Sequence, residues 1–275
     1  ASRGNPAERQ QLMGGREAPV DTSALSLAWL PLESNPSIFN SFGGKVGLPD
    51  DWSFVDVFGL DTEALDMVPR PCVALVLLFP CLPEIFRRRA EYDGAASSAE
   101  EDVYFLSQHA DAGNACGTFA AIHAIANTKH AFALDHGGAL HKLIGAGAAM
   151  SPDERGRMLQ DMHDLRQRSD AAATDASAQT VCPERDGPDL EHHFVTFIVS
   201  AAGRLLELDG TRDAPVDHGE VTIDSFLPRA AEVIKACYMS TDPAAGSIEF
   251  SLMALARCAR PKDEKDDAGQ EHGAA

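Results

Sequence analysis

The strongest constraint on the fold is a continuous apolar run, Val73-Ala74-Leu75-Val76-Leu77-Leu78-Phe79, with Pro71 just before it and Pro80 closing it. The run has no polar alternation and offers no face to water. Its length and its flanking prolines predict a strand covered on both sides. Other elements group around it. Trp52–Val57, followed by Gly59, reads as a second strand, and Pro83–Tyr92 as a helix with proline in its first turn. Asn35-Pro36 opens a helical segment containing Ile38 and Phe39, with the asparagine placed to cap it. Asn114–Thr128 is the clearest helix, with Asn114 as the expected cap and Phe119, Ile122, Ile125 and Ala126 at helical spacing. Residues 137–149 are small and Gly-rich and give only a weak signal. Ser151-Pro152-Asp153-Glu154 starts a helix expected to reach about Arg168.

Beyond that helix, Ser169–Glu191 has the composition of a long polar loop. Phe194–Val199 and Arg204–Leu208 form a predicted hairpin with Gly203 in its turn, then a helix spans Phe226–Tyr238 and a strand Ile248–Ala256. The expected fold class is α/β (α+β): a central, mainly antiparallel sheet flanked by helices. It occupies one domain, residues 25–260, between a flexible extension at 1–24 and a charged, disordered tail at 261–275.

Acidic residues outnumber basic ones 42 to 23, for a formal charge of −19. That balance disfavours nucleic acid and anionic membrane as partners and favours basic ones. The greasiest stretch, Val73–Leu82, is too short to span a bilayer. The polar N-terminus lacks a secretory signal, so the expected location is the cytoplasm, with the nucleus open to it as well, and the expected state is a monomer. The six cysteines show no C-x-x-C pairing and the histidines no metal spacing, so neither a metal nor another cofactor is expected.

Chemistry concentrates at Gly113-Asn114-Ala115-Cys116-Gly117-Thr118. A glycine and a capping residue ahead of the cysteine, and a helix behind it, put the sulfur at a helix N-terminus, where free N–H groups and the macrodipole favour a thiolate. The Cys116 N–H would also face an oxyanion. A nucleophile needs a base brought to it in space. Of the ten histidines, His193 stands at the start of the first hairpin strand, and its neighbour His192 must point the other way. Asp209 ends the second strand, and an antiparallel hairpin sets the start of one strand beside the end of the next. Taken singly, each residue has a plainer reading: a buried cysteine, a surface histidine, a turn acid. Together they form a Cys–His–Asp set, with the carboxylate orienting the imidazole.

At this point a family resemblance becomes specific. PLESNPSIFN, WSFVDVFGLD, VALVLLFP, VYFLSQ, GNACGT followed by IHAIAN, EHHFVTFI and LLELDGTRDAPVDHG look like successive blocks of the ubiquitin C-terminal hydrolase family, in order from about residue 25 to 260. The resemblance implies a papain-like fold with a knotted chain path. It also implies a cysteine deubiquitinase that hydrolyses amide, ester or thioester bonds at the C-terminal glycine of ubiquitin or a ubiquitin-like protein. Carried over, it makes Cys116 the nucleophile, His193 the base, Asp209 the third member and Gln108 a side-chain donor to the oxyanion. Pro31, Leu32, Glu33, Ser34, Asn35 and Pro36 fall in one substrate-contacting segment; Ser247, Ile248, Glu249, Phe250, Ser251 and Leu252 fall in a second. Residues 169–191 become the crossover loop above the site.

Two departures from the family pattern bear on this. Seven residues, His109 to Ala115, separate Gln108 from Cys116, two more than the family spacing, and the hairpin turn is one residue longer. The first either bulges outward or displaces the glutamine; the second is expected to be harmless. Two other functions remain open on sequence: a papain-like thiol hydrolase or acyltransferase acting on a small substrate, and a noncatalytic ubiquitin-binding protein.

Overall fold

A computed structural model describes residues 28–92, 103–183, 190–239 and 250–258. The prolines and apolar residues around position 75 form β2 (Cys72–Pro80), buried along almost its whole length. On one side it pairs with β3 (His192–Val199), and on the other with β6 (Ser251–Ala256). β1 (Ser53–Asp56) extends the sheet beyond β6, while β4 (Arg204–Leu208) and β5 (Val216–Glu220) extend it beyond β3. The order is β1-β6-β2-β3-β4-β5, and every pairing is antiparallel.

Among the described residues eight α-helices surround this sheet: α1 (Pro36–Val46), α2 (Thr62–Asp66), α3 (Pro83–Tyr92), α4 (Cys116–Ala126), α5 (Ala139–Ala146), α6 (Pro152–Asp161), α7 (His163–Ala173) and α8 (Phe226–Tyr238). Strand alternation explains why β2 has no polar face. Phe79 points to Tyr238 of α8, with ring centroids 4.8 Å apart, and to Phe86 of α3. Val76 lies opposite Thr196, whose hydroxyl donates to Ala120 O of α4 at 2.8 Å. Helices therefore cover both faces, as an unbroken apolar strand requires. None of these helices is long and apolar enough to cross a membrane.

Local chemistry sets the ends of several elements. Asn35 caps α1 by accepting from Ser37 N at 2.9 Å, with Pro36 in the first turn. Ser151 and Glu154 form a reciprocal capping box at the start of α6. The helix expected to run from there to about Arg168 instead breaks at Met162, whose ψ of 85° is not helical, and resumes as α7. It continues through Ala173, so residues 169–173 are helical rather than part of the loop. Ser169 is buried, its hydroxyl 2.7 Å from that of Thr118. The expected extension at 1–24 and the tail at 261–275 lie outside the described residues. The expected knot is a property of the whole chain trace, which includes those segments.

The segment leading to the site, Val103–Gln108, is held against α6. Ser107 N donates to Pro152 O at 3.0 Å, and Gly156 meets the Ser107 backbone so closely that a Cβ there would lie 1.9 Å from the carbonyl oxygen. Gly156→Ala must therefore push the two segments apart. We expect destabilisation at the upper end of the roughly 1–3 kcal/mol typical of overpacking. Urea denaturation reads this directly, and an unchanged midpoint would show that α6 does not pack there.

Candidate active site

Cys116 is the first residue of α4, a helix buried on every side, so its start is fixed by the core rather than by solvent. The cap is not the expected one. Ala115 occupies the N-cap position without a side-chain bond, and Asn114, one residue further out, lines a cavity instead. With no capping side chain, the N–H groups of the first turn keep their capacity for an anion. That cavity has a volume of about 390 Å³, and Cys116, 9% exposed, contributes to its wall. Leu32, Leu78, Val181, Leu190 and Phe194 make the wall largely apolar. Close approach of α4 to this wall needs Gly117, where a Cβ would lie 3.1 Å from Leu32 Cβ and 3.2 Å from the Phe194 ring.

The hairpin register places the next two residues. Thr196 pairs with Leu208, so the chain on either side of that pair brings His193 and Asp209 together just past the end of the ladder. His193 Nε2 donates to Asp209 Oδ1 at 2.8 Å. The two adjacent histidines diverge as alternation demands: His192 lines the cavity while His193 turns to Asp209. Asp209 is 1% exposed and fully engaged. Its Oδ1 also accepts from Thr211 N at 3.0 Å and Thr211 Oγ1 at 2.7 Å, and its Oδ2 accepts from Arg89 Nη2 at 2.7 Å.

Electrostatics follows from this geometry. Burial disfavours a charged imidazole, but the Asp209 carboxylate outweighs burial, and nearby Cys116 acts in the same direction, so His193 is raised to about 10. Burial would likewise raise Asp209, yet the His193 and Arg89 charges hold its carboxyl well below the usual range. Cys81 lies near the same group. Burial, then the neighbouring Cys116 and Asp209 charges, push its thiol up to about 11.

Gln108 is anchored by its backbone. Its N–H donates to Gly210 O at 2.7 Å, which ties it to the residue after Asp209. A side chain at Gly210 would press on Gln108, with a Cβ 3.1 Å from the Gln108 Cβ. The intervening residues form a 3₁₀ turn, Ala110–Ala112, that bulges toward α6. There His109 Nε2 meets Asp153 O at 3.2 Å and Gln160 donates to Asp111 at 3.0 Å. The Gln108 amide nitrogen makes a long 3.4 Å bond to Gly113 O, while its Oε1 is buried without a partner. At the hairpin turn, Gly203 takes φ +74° and its N–H reaches Ser200 O at 3.0 Å, leaving the β3–β4 register undisturbed.

Of the two segments expected to touch substrate, Ser247, Ile248 and Glu249 lie outside the described residues. The rest meet each other. Ser34 Oγ donates to Ser251 Oγ at 2.9 Å, and Pro31, Leu32, Glu33 and Ser34 border the cavity beside Cys116. Glu33 is engaged with the loop above the site, accepting from Gln179 N, Thr180 N and Thr180 Oγ1 at 3.0 Å each. Asn35 adds a 3.3 Å bond to Ser177 O. Among the described residues, no group of three or more His, Cys, Asp or Glu side chains is arranged to hold a metal.

Sequence reasoning missed Arg89 and Glu207, both 2% exposed and joined at 2.7 Å behind Asp209. The apolar spacing of α3 marks one arginine for burial, but nothing local tells which acid it meets.

Free imidazole titrates near pH 6.5, whereas His193 in the fold does so at about 10. The stability gained from its cation is therefore complete below pH 6.5 and is lost as pH rises through 10. Asp209→Asn should flatten that alkaline decline in unfolding free energy and reduce turnover by about 10²–10⁴-fold, the usual worth of a positioned acid–base. Denaturation curves from pH 6 to 10.5 read the first effect; a slope equal to wild type would break the assigned pairing.

Comparison with known proteins places this geometry. Residues 29–239 match the family described as Ubiquitin carboxyl-terminal hydrolase, family 1. A ubiquitin carboxyl-terminal hydrolase of Aplysia californica is 39% identical over 216 residues, covering 78% of this chain and 96% of the relative. The human ubiquitin carboxyl-terminal hydrolase isozyme L1 is 33% identical over 231 residues, covering 83% of this chain and 98% of its own. Among solved structures, the catalytic domain of Trichinella spiralis UCH37 bound to ubiquitin vinyl methyl ester shares the fold, with a TM-score of 0.63 at 23% identity over 85% of this chain and 99% of that one. With relatives this similar along nearly their full length, the chain belongs to the ubiquitin carboxyl-terminal hydrolases of family 1.

Proposed function

We propose that this protein is a thiol-dependent deubiquitinase that cleaves amide, ester or thioester bonds at the C-terminal glycine of ubiquitin. The observation that carries the reading is a cysteine at a helix start, on the wall of a cleft, close enough to act on an imidazole whose Nε2 is held by a buried carboxylate. Family membership and relatives named for ubiquitin hydrolysis support the substrate. The sign of the net charge, −19, also suits a substrate with a basic tail.

Acyl transfer on this set proceeds in two halves. The Cys116 thiolate attacks the glycine carbonyl carbon, and the electron pair moves onto oxygen. That oxyanion is met by the Cys116 N–H and by the Gln108 amide. The His193 imidazolium gives its proton to the leaving nitrogen as the C–N bond breaks, leaving a thioester. Neutral His193 then takes a proton from water, which attacks the thioester. The C–S bond breaks, and thiolate and imidazolium are restored. Asp209 keeps Nε2 protonated throughout, so Nδ1 serves the sulfur and the leaving group.

Cys116→Ala is expected to abolish hydrolysis of a fluorogenic ubiquitin amide while retaining ubiquitin binding. A ubiquitin probe with an electrophilic C-terminus should label the native protein at Cys116 alone, read by peptide mass spectrometry. Turnover by the variant, or an unlabelled Cys116, would exclude this chemistry. Ubiquitin binding with no turnover by the native protein would point to a noncatalytic role.

Gln108→Ala should lower kcat by at least tenfold, since about 1.4 kcal/mol gives that factor and one oxyanion donor contributes about 2.7–4 kcal/mol. Its anchoring to Gly210 is the reason to expect the full effect. Unchanged kcat would mean the amide does not reach the oxyanion.

A further inference from the structure

Arg89 is a full charge taken out of water, which ordinarily costs several kcal/mol even after relaxation. Its Nη2 bridges two carboxylates, donating to Glu207 Oε1 and Asp209 Oδ2 at 2.7 Å each. The guanidinium carbon lies over the rings of Phe79, at 5.2 Å, and Tyr238, at 5.3 Å. The remaining acceptors of Glu207 are filled from two further elements, by Tyr238 OH at 2.7 Å and His218 Nε2 at 3.0 Å. Arg212 Nε approaches Asp209 Oδ2 only to 3.9 Å, from a position 21% exposed where water screens it. Arg89 itself does not line the cavity that Cys116 borders.

A cluster of this kind is poor value as a staple, because well-packed apolar residues of the same volume commonly stabilise as much or more. What they could not reproduce is its action on the carboxylate that faces His193. Without Arg89, the buried carboxylates of Glu207 and Asp209 would lose the cation they share, and Oδ2 of Asp209 would lose its short partner.

We propose that Arg89 is a positioning residue for the reaction: it pins Asp209 Oδ2 so that Oδ1 stays on His193, and its charge offsets the excess negative charge of the Glu207–Asp209 pair behind the imidazolium. The proposal rests on the deubiquitinase reading above. An imidazolium held by excess negative charge gives up its proton reluctantly, so removing Arg89 slows protonation of the leaving group and shifts the loss of that proton to higher pH.

Arg89→Met removes the charge and keeps most of the volume. It is expected to lower kcat for the ubiquitin amide by roughly 10- to 100-fold, below the about 10²–10⁴-fold worth of the whole acid–base function. KM should be unchanged, and the alkaline limb of kcat/KM should move up in pH. Arg89→Lys, which supplies a charged nitrogen to the same gap, should recover most of the rate and restore the limb. Wild-type kcat in Arg89→Met would overturn the proposal, as would a loss of kcat with an unmoved alkaline limb, the signature of a purely structural role. If Arg89→Met does not fold, Glu207→Gln carries the opposite sign and should move the limb down; an unmoved limb there is equally fatal. The pH dependence of Cys116 alkylation by iodoacetamide, resolved by peptide mass spectrometry, reads the Cys116–His193 pair with no substrate present. Absent wild-type turnover would sink the deubiquitinase reading, and alkylation would still decide Arg89.

Discussion

The site depends on the burial of one carboxylate. Asp209 is 1% exposed, and an unpaired charge there would be untenable. It persists because donors converge on it from three parts of the chain: His193 from β3, Arg89 from α3 and Thr211 from the turn after β4. His193 and the approach to Asp209 are placed by sheet register. Phe79 of β2 lies opposite His193, and Thr196 of β3 opposite Leu208. A slip of one residue would put His192 where His193 stands and turn His193 away from Asp209. The apolar run in β2 thus bears on the site as well as on stability, since it fixes that register from the core side.

Cys116 is positioned by different means. α4 is buried on all sides, so its rotation and start are set by packing, and small residues admit the close contacts that packing needs. Gly117 lets the helix meet Leu32 and Phe194; Gly210 lets the Asp209 turn lie on Gln108; Gly156 lets α6 press on Ser107. The stretch between Gln108 and Cys116 is fixed at both ends in the same way. The glutamine is anchored by its own backbone to Gly210, and the stretch itself forms a 3₁₀ turn with partners on α6.

Elements whose sequence carries a strong period or a clear boundary signal were legible before any coordinates. β2, α3 and α8 fall at or within a residue of where proline and apolar spacing put them, and Asn35 and Ser151 cap as their side chains suggest. What escaped was decided by tertiary context. β5 is Val-Asp-His-Gly-Glu, a polar edge strand that pairs only because β4 offers an open ladder. α5 lies in a Gly-rich stretch, and the end of α7 has the composition of a loop but packs Ser169 on Thr118. Asn114 has a capping side chain, yet the helix starts one residue later and the asparagine faces the cavity. The His193–Asp209 contact could be read because hairpin topology selected one histidine of ten. Arg89 could not, because its partners lie more than a hundred residues away.

The two sides of the cleft differ in what it takes to open them. Behind His193, charges are buried, mutually paired and unable to find water, so breaking any pair leaves a desolvated ion at a cost of about 3–5 kcal/mol. Across the cleft, the loop at Gln179–Thr180 is held by Glu33 through exposed hydrogen bonds. Bonds of that kind exchange for water at a net cost near 0.5–1.5 kcal/mol each. The Glu33 contacts can therefore be displaced without disturbing the His193–Asp209 pair. The placement of charge follows the same division: the buried pair is anchored to the sheet, and the loop across the cleft is anchored to a side chain water can replace.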